Sequence, residues 1–206
     1  MSCTALEPPT CEVGDNAARS GRHEEAVSSL TQCLDTPWLT KESRRNALEA
    51  RAWSFANTDS PMRAVADQEE AFRLKHPNEY HEWINFASYL RAADRLEDSL
   101  NAIYSAEKLG SSEPSMMTQY NLGWTLYELG RNEEAIAAFS RGIPNQPDYL
   151  FVYWRRGLAF ERMGNSEEAK TDFRMVDALL KKTPLNAGSQ KYLPEIRAKL
   201  DAYGIS

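Results

Sequence analysis

The feature that most constrains this chain is a motif of the form Gly-x-x-Glu-Glu-Ala, which occurs three times. Its copies begin at Gly21, Gly130 and Gly164. The last two copies lie 34 residues apart, and the first two lie 109 apart, which is three such periods plus seven residues. A fixed period of this length is the signature of repeat proteins, in which similar units stack on one another. The chain is therefore predicted to be a stack of repeated units.

Within each period, apolar residues fall at the spacing of amphipathic helices rather than at the alternation typical of strands. The glycine of the motif separates two helices of about a dozen residues each. Apolar residues make up 42% and charged residues 26% of the chain, as in ordinary folded domains, which argues against a disordered or fibrous protein. Each period is predicted to be a helical hairpin, and the chain is predicted to be all-α.

The clearest hairpin has Gly123 midway along its first helix and Gly130 in its turn. Its second helix carries Ala135 and Phe139, and Pro147 closes the unit. This pattern resembles the tetratricopeptide repeat, which has small residues on both helices, a large apolar residue between them and a closing proline. The resemblance implies a right-handed α-solenoid. Small side chains are needed where the helices cross because larger ones would force the two axes apart.

The same register gives five hairpins and a C-terminal capping helix within a single domain over residues 1–206. The hairpins are predicted at about 7–40, 45–78, 80–113, 116–149 and 150–183, and the capping helix at about 189–203. Each hairpin has one facing pair of small residues: Gly14/Ala26, Ala52/Ala64, Ala87/Ser99, Gly123/Ala135 and Gly157/Ala169. Three residues depart from the family pattern, because Gln68 and Arg156 replace large apolar residues and Ala17 replaces a bulky one.

Charge and motifs argue against several classes of function. The net charge of −6 is spread along the chain without a basic cluster, so nucleic acid is not an expected partner. No apolar run reaches the roughly 18 to 20 residues of a membrane-spanning helix, and the first eleven residues are too polar for a secretory signal. His23, His76 and His81 are not spaced as metal ligands, and paired glutamates stand mostly at helix starts, where the dipole favours them. The sequence contains no phosphate-binding loop and no nucleophile motif. We therefore predict that the chain is not an enzyme and binds no cofactor or metal.

In the tetratricopeptide family, the first helices of the hairpins line a concave groove. The resemblance places these residues in it: Glu49, Trp53, Ile84, Asn85, Ser88, Arg91, Tyr120, Asn121, Trp124, Tyr127, Phe151, Trp154, Arg155, Glu161 and Arg162. Aromatic residues become denser towards the C-terminal half, and clustered tryptophan and tyrosine are typical of interface anchors. The alternative interpretation is that these aromatic residues belong to the buried core.

Some members of the family bind the C-terminal carboxylate of a partner through a clamp of lysine, asparagine and arginine side chains. Only Asn121 and Arg155 stand at matching positions here, while Phe151, Ile84 and Ser88 replace the others. We therefore expect the groove to bind an apolar or aromatic peptide, or an amphipathic helix, of a protein partner. This predicts an adaptor or assembly factor. The alternative is an inhibitor or immunity-type protein that occludes a partner enzyme, and self-association through exposed aromatic residues also stays open.

The three cysteines all lie near the N-terminus, at Cys3, Cys11 and Cys33. An antiparallel hairpin would bring Cys11 and Cys33 together, and a disulfide between them would contribute roughly 3 kcal/mol to the terminal unit. The alternative is that Cys33 is a buried thiol. The surrounding segment resembles exported bacterial tetratricopeptide proteins, which implies a periplasmic or envelope-associated location and favours the disulfide. A cytoplasmic location is the other option.

Overall fold

The structure, a computed structural model, describes residues 8–109 and 115–205. These residues form α-helices joined by short turns and contain no β-strand, so the all-α prediction is confirmed for the described part of the chain. The helices are α1 Pro9–Arg19, α2 His23–Leu34, α3 Lys41–Ala56, α4 Pro61–Leu74, α5 Tyr80–Ala92, α6 Leu96–Leu109, α7 Met116–Glu128, α8 Asn132–Gly142, α9 Leu150–Arg162, α10 Ser166–Lys182 and α11 Leu193–Ala202.

Contacts divide the chain into two compact units, unit 1 up to Ala106 and unit 2 from Glu107 onwards. Unit 1 contains α1 to α5 and most of α6, and unit 2 contains α7 to α11. Within each unit, consecutive helices pair as hairpins, for example α3 with α4 and α9 with α10. The single domain predicted over residues 1–206 stays a prediction.

All five hairpin turns use one residue with a left-handed backbone. Gly21, Gly130 and Gly164 have φ of 74°, 75° and 79°, and Asp59 and Asp94 have φ of 54° and 59°. Each of these residues lies five positions before the small residue of the second helix. The residue after each one donates its backbone N–H to the carbonyl five positions earlier, which is the bond of a Schellman turn. In the other two hairpins, aspartate, which tolerates this conformation, takes the place of glycine. The Glu-Glu-Ala part of the motif differs there as well, so the full motif occurs only three times.

The glycines of the first helices let bulky side chains of the second helices approach the backbone. A Cβ atom on Gly123 would lie 2.6 Å from the Phe139 ring, and one on Gly157 would lie 2.6 Å from the Phe173 ring. Phe139 lies one helical turn beyond Ala135, and its flat ring fills the space that the missing side chain of Gly123 leaves. That Gly123 faces Ala135 stays a prediction.

Two of the hairpins contain a buried ion pair where the family has apolar residues. Arg156 donates to both carboxylate oxygens of Asp172, at 2.8 and 2.7 Å, and to the Ser140 hydroxyl at 2.9 Å. Arg51 bonds both oxygens of Asp67, at 2.7 and 2.9 Å, and the Thr31 hydroxyl at 3.1 Å. In both cases the arginine directly precedes the small residue of the first helix. The departure at Arg156 thus has a physical reason, because its charge is paired by an aspartate on the second helix.

Helix α11 is held to unit 2 by polar and aromatic contacts. The Lys199 ammonium group lies 2.8 Å from a carboxylate oxygen of Glu161, and the Tyr203 hydroxyl donates to the same carboxylate at 3.1 Å. The Tyr203 ring packs 4.9 Å from the Phe173 ring. Glu161, expected in the groove, instead fixes the capping helix. This helix starts later than predicted, at Leu193, because the preceding residues form a 3-10 turn over Ala187–Tyr192.

A disulfide joins the two helices of the first hairpin. Cys11 on α1 and Cys33 on α2 are bonded, with their Cα atoms 4.9 Å apart. Cys3 lies outside the described residues. No helix in the described part of the chain is long and apolar enough to span a membrane.

Candidate functional site

Unit 2 carries two arginines that stack on two aromatic rings of the neighbouring hairpin. The Arg155 guanidinium carbon lies 3.9 Å from the centre of the Trp124 ring, and that of Arg162 lies 3.7 Å from the centre of the Tyr127 ring. The aromatic residues belong to α7 and the arginines to α9. Both rings and Arg155 are half-buried, and Arg162 is exposed. We call these four residues the aromatic–arginine face.

Hydrogen bonds orient two of the four side chains of this face, those of Trp124 and Arg162. The Trp124 indole N–H donates to Glu128 at 2.8 Å, and Arg162 donates to the Tyr127 carbonyl at 2.7 Å. Behind the face, the Tyr120 ring packs 5.6 Å from that of Trp124. Because few rotamers remain to be frozen, binding to such a surface has a low entropy cost.

Further aromatic rings extend the row. The Tyr149 ring lies 5.2 Å from that of Tyr120 and 5.9 Å from that of Phe151, and Phe151 contacts Tyr192 at 5.5 Å. Tyr149, Phe151 and Tyr192 are all half-buried. Sequence reasoning placed only Phe151 in the groove, because Tyr149 and Tyr192 stand in the turns before α9 and α11. Their signal was the occurrence of aromatic residues directly before a helix.

Four predicted groove residues, Trp154, Tyr120, Asn121 and Ile84, are buried instead. Trp154 is only 1% exposed and packs 5.6 Å from Phe173, so its expected role in the groove is corrected to one in the core. Tyr120 and Asn121 are also buried, and the Asn121 amide donates to the Met117 carbonyl at 2.9 Å. Trp154 and Tyr120 both stand three positions before the small residue of the first helix, a position that is covered in both hairpins. The carboxylate clamp therefore lacks its asparagine as well as the residues that differ in type.

The predicted residues of unit 1 lie on a polar surface. Trp53 is 46% exposed, Asn85 is exposed and Arg91 is half-buried. Trp53 and Asn85 line a cavity of about 460 Å³, together with Arg45, Glu49, Gln68, Lys75, Asn78, Glu79, His81, Glu82 and Tyr89. We call this cavity the unit 1 cavity.

A charged network forms the floor of the unit 1 cavity. Arg45 lies between two carboxylates: its Nη2 atom is 2.8 Å from Oε1 of Glu49 and also pairs with Glu82. Glu82 accepts backbone N–H bonds from Asn78 and Glu79, both at 3.0 Å, and so caps the start of α5.

The two carboxylates of this network respond differently to their surroundings. Burial raises the pKa of Glu49, with the Glu82 charge adding to the effect and Arg45 and Gln68 opposing it. For Glu82, burial is outweighed by hydrogen bonds from the Glu79 backbone, Arg45 and the Asn78 backbone, so its pKa is lowered. Glu82 is therefore the structural member of the pair, and Glu49 is the carboxylate whose charge is less well compensated.

Two stretches of unit 2 match models of a known family. Residues 118–149 and residues 151–180 each match a model described as tetratricopeptide repeat. These stretches contain most of the α7/α8 and α9/α10 hairpins, and hence the aromatic–arginine face. A comparison with curated protein sequences gives no significant match.

Solved structures of MamA share the fold of this chain. MamA 41-end from Desulfovibrio magneticus RS-1 is 17% identical in sequence, with a TM-score of 0.68, and the alignment covers 87% of this chain and 100% of that chain. A structure titled MamA AMB-1 is 18% identical, with a TM-score of 0.67 over 85% of this chain and 100% of that one. One titled MamA MSR-1 is 20% identical, with a TM-score of 0.66 over 84% of this chain and 95% of that one.

The comparisons support the repeated hairpin architecture described above. These structures confirm the predicted fold class, an α-solenoid of tetratricopeptide-like hairpins. Because their sequence identity to the chain is low, the similarity shows a shared fold and nothing about function. The two family matches supply the sequence evidence. The chain thus contains tetratricopeptide repeats in unit 2 and has the fold of a tetratricopeptide solenoid.

Proposed function

We propose that this chain is a non-catalytic adaptor or assembly factor that binds a segment of a partner protein on the aromatic–arginine face of unit 2. The observation that carries the proposal is the stacking of Arg155 on Trp124 and of Arg162 on Tyr127. Tryptophan, tyrosine and arginine are the residues most often found at the energetic centres of protein interfaces. Here four of them adjoin one another on two successive first helices.

The chemistry of this face favours a segment with apolar or aromatic side chains. The rings offer large rigid surfaces, and an apolar side chain that covers them is removed from water at about 25 cal/mol per Å². A guanidinium group stacked on a ring keeps N–H groups at its edge, which suit a carbonyl or carboxylate of the partner. An extended peptide or an amphipathic helix can present both kinds of group on one side.

We infer the compartment of this binding from the disulfide. A bond between Cys11 and Cys33 is stable in oxidising surroundings and is reduced in most cytoplasms. Its presence supports a periplasmic or envelope-associated location.

The test compares variants of the face with a matched control. Trp124→Ala and Tyr127→Ala each remove one stacked ring, while Tyr104→Ala removes an exposed ring of α6 outside the face. Partners are captured from an extract of the native organism by the unaltered chain and by each variant, and identified by mass spectrometry. We expect one partner to be retained by the Tyr104→Ala variant and lost by the other two.

The affinity of that partner then gives the magnitude. If either ring is an anchor, its removal weakens binding by about 2 kcal/mol or more, which is about thirtyfold in Kd by calorimetry. Retained affinity in both face variants would place the binding surface elsewhere. If the captured protein is an enzyme, its activity in the complex separates an adaptor from an inhibitor.

A further inference from the structure

We propose that the unit 1 cavity binds a basic side chain, arginine or lysine, of a partner protein. The cavity lies between α3 and α5, with Arg45, Glu49 and Trp53 on one side and Glu82 and Asn85 on the other. It is a second binding site, separate from the aromatic–arginine face, and does not depend on the function proposed for that face.

The charges of the cavity leave one carboxylate in excess. Its lining contains Glu49, Glu79 and Glu82, against Arg45 and Lys75. His81 also lines it and adds no charge in its neutral form. A cation that enters the cavity therefore completes the charge balance, whereas an anion adds to the excess.

Arg45 cannot satisfy both of its carboxylate partners equally. Glu82 holds it and is itself fixed by two backbone N–H groups. The Oε1 atom of Glu49 lies 2.8 Å from Arg45 Nη2, the distance of an ion pair, but it accepts no hydrogen bond. A buried carboxylate oxygen in this condition is costly, and a further donor would stabilise it. The Glu49 side chain as a whole keeps 28% of its exposure and lines the cavity.

The position of Glu49 in its hairpin is unusual. It stands three residues before the small residue of the first helix, where the other four hairpins have Cys11, Ile84, Tyr120 and Trp154. All four of those side chains are buried. Only the second hairpin has a carboxylate at this covered position, so packing does not explain it.

Trp53 supplies the wall that a basic side chain would contact. It lies four residues after Glu49, so the two side chains occupy the same side of α3. Its ring is 46% exposed. A guanidinium or ammonium group between a carboxylate and the face of an indole is stabilised by both, through an ion pair and a cation–π contact.

The first experiment measures binding of a minimal probe. The peptide acetyl-Gly-Arg-Gly-amide is titrated into ¹⁵N-labelled protein, and the indole N–H signal of Trp53, assigned with Trp53→Phe, is followed by NMR. We expect a saturable shift with a Kd of the order of 1 mM, as for a single side chain. The matching peptide with citrulline, which has the same shape and no charge, should bind at least about tenfold more weakly. Equal binding of the two peptides, or no shift of the Trp53 signal with either, would overturn the proposal.

The second experiment changes the charge of the cavity. Glu49→Gln keeps the shape of the side chain and should weaken binding of the arginine peptide at least about tenfold. Glu97→Gln removes an exposed carboxylate of α6 outside the cavity and serves as the control of equal charge change. Asn85→Asp adds a carboxylate to the lining and should strengthen binding several-fold. If Glu49→Gln has no more effect than Glu97→Gln, or Asn85→Asp weakens binding, the cavity does not select a cation. A cooperative melting transition well above the assay temperature shows that each variant is folded.

Discussion

The ion pair of Arg156 and Asp172 predicts a large loss of stability when one partner is removed. The aspartate side chain is 4% exposed and the arginine side chain 19%. Three N–H groups of the guanidinium are used, two by Asp172 and one by Ser140. In Asp172→Ala, the arginine would remain in a covered position with only the serine hydroxyl as partner. The substitution thus isolates the cost of a charge that has lost its counterion.

The magnitude follows from the degree of burial. Removing one partner of a buried pair typically costs about 3 to 5 kcal/mol, because the other charge stays desolvated. Arg156 keeps 19% exposure and can turn partly towards water, so we expect the lower end, about 3 kcal/mol. For a chain of 206 residues, this corresponds to a fall in Tm of about 6 to 12 °C.

Replacing both partners separates the cost of the broken pair from that of lost packing. The double variant Arg156→Leu/Asp172→Leu has apolar residues in place of both charges, including the leucine that the family pattern has at position 156. Apolar replacement of a buried pair is often neutral or stabilising. We therefore expect the double variant to be at least as stable as the unaltered chain.

The assay is urea unfolding followed by far-UV circular dichroism, with Asp177→Ala as the control. Asp177 lies on the same helix, and its partner Lys181 is 70% exposed, so that pair should contribute less than about 1 kcal/mol. If Asp172→Ala costs no more than Asp177→Ala, the pair does not stabilise the hairpin as argued. A double variant as unstable as Asp172→Ala would show that the loss has another cause than the unpaired charge.

Four further results are expected. Ala135→Leu should cost about 1 to 3 kcal/mol, because this fully buried position has no room for a larger side chain; an unchanged Tm would contradict the assigned register. Asp94→Gly should stabilise the chain by about 0.5 kcal/mol, since glycine relieves the left-handed backbone; equal or lower stability in urea would argue against strain at this turn. Thiol titration of the unfolded, unreduced protein should find one reactive cysteine among three, because Cys11 and Cys33 are bonded; three free thiols would remove the argument for an oxidising compartment. Glu49→Gln should raise Tm at neutral pH, and it should leave Tm unchanged at a pH below the ordinary pKa of glutamate. The reason is that burial raises the pKa of Glu49 in the folded protein, so the charged carboxylate destabilises the fold once the pH rises above the ordinary pKa of glutamate.

The hairpin register could be predicted from the sequence because few residues fit a helix crossing or a left-handed turn. Gly123 and Gly130 each meet one such geometric requirement, and a 34-residue recurrence makes both visible. The turns at Asp59 and Asp94 were harder to recognise. Aspartate takes up the left-handed conformation less readily than glycine, so its presence alone does not indicate a turn.

The side of the helix on which each aromatic ring lies could not be predicted with the same success. Trp124 and Trp154 both lie on the first helix of a hairpin, close to its small residue. Trp124 is one position after the small residue, and Trp154 is three positions before it. The first is half-buried and stacks on Arg155, while the second is buried against Phe173. Helical spacing alone puts both on the same side, and only the packing of neighbouring helices decides which one is covered.

The position three residues before the small residue therefore has a meaning that only the structure reveals. A large aromatic side chain at this position, as in Tyr120 and Trp154, is buried and contributes to helix packing. Where it holds Glu49, the same position carries a carboxylate whose burial disfavours its charge. A residue that lowers stability at an otherwise apolar position is expected at functional sites rather than in a scaffold. The exposed ring of Trp53 beside it is what a binding role requires and a packing role does not, so the cost at Glu49 is best explained by a ligand.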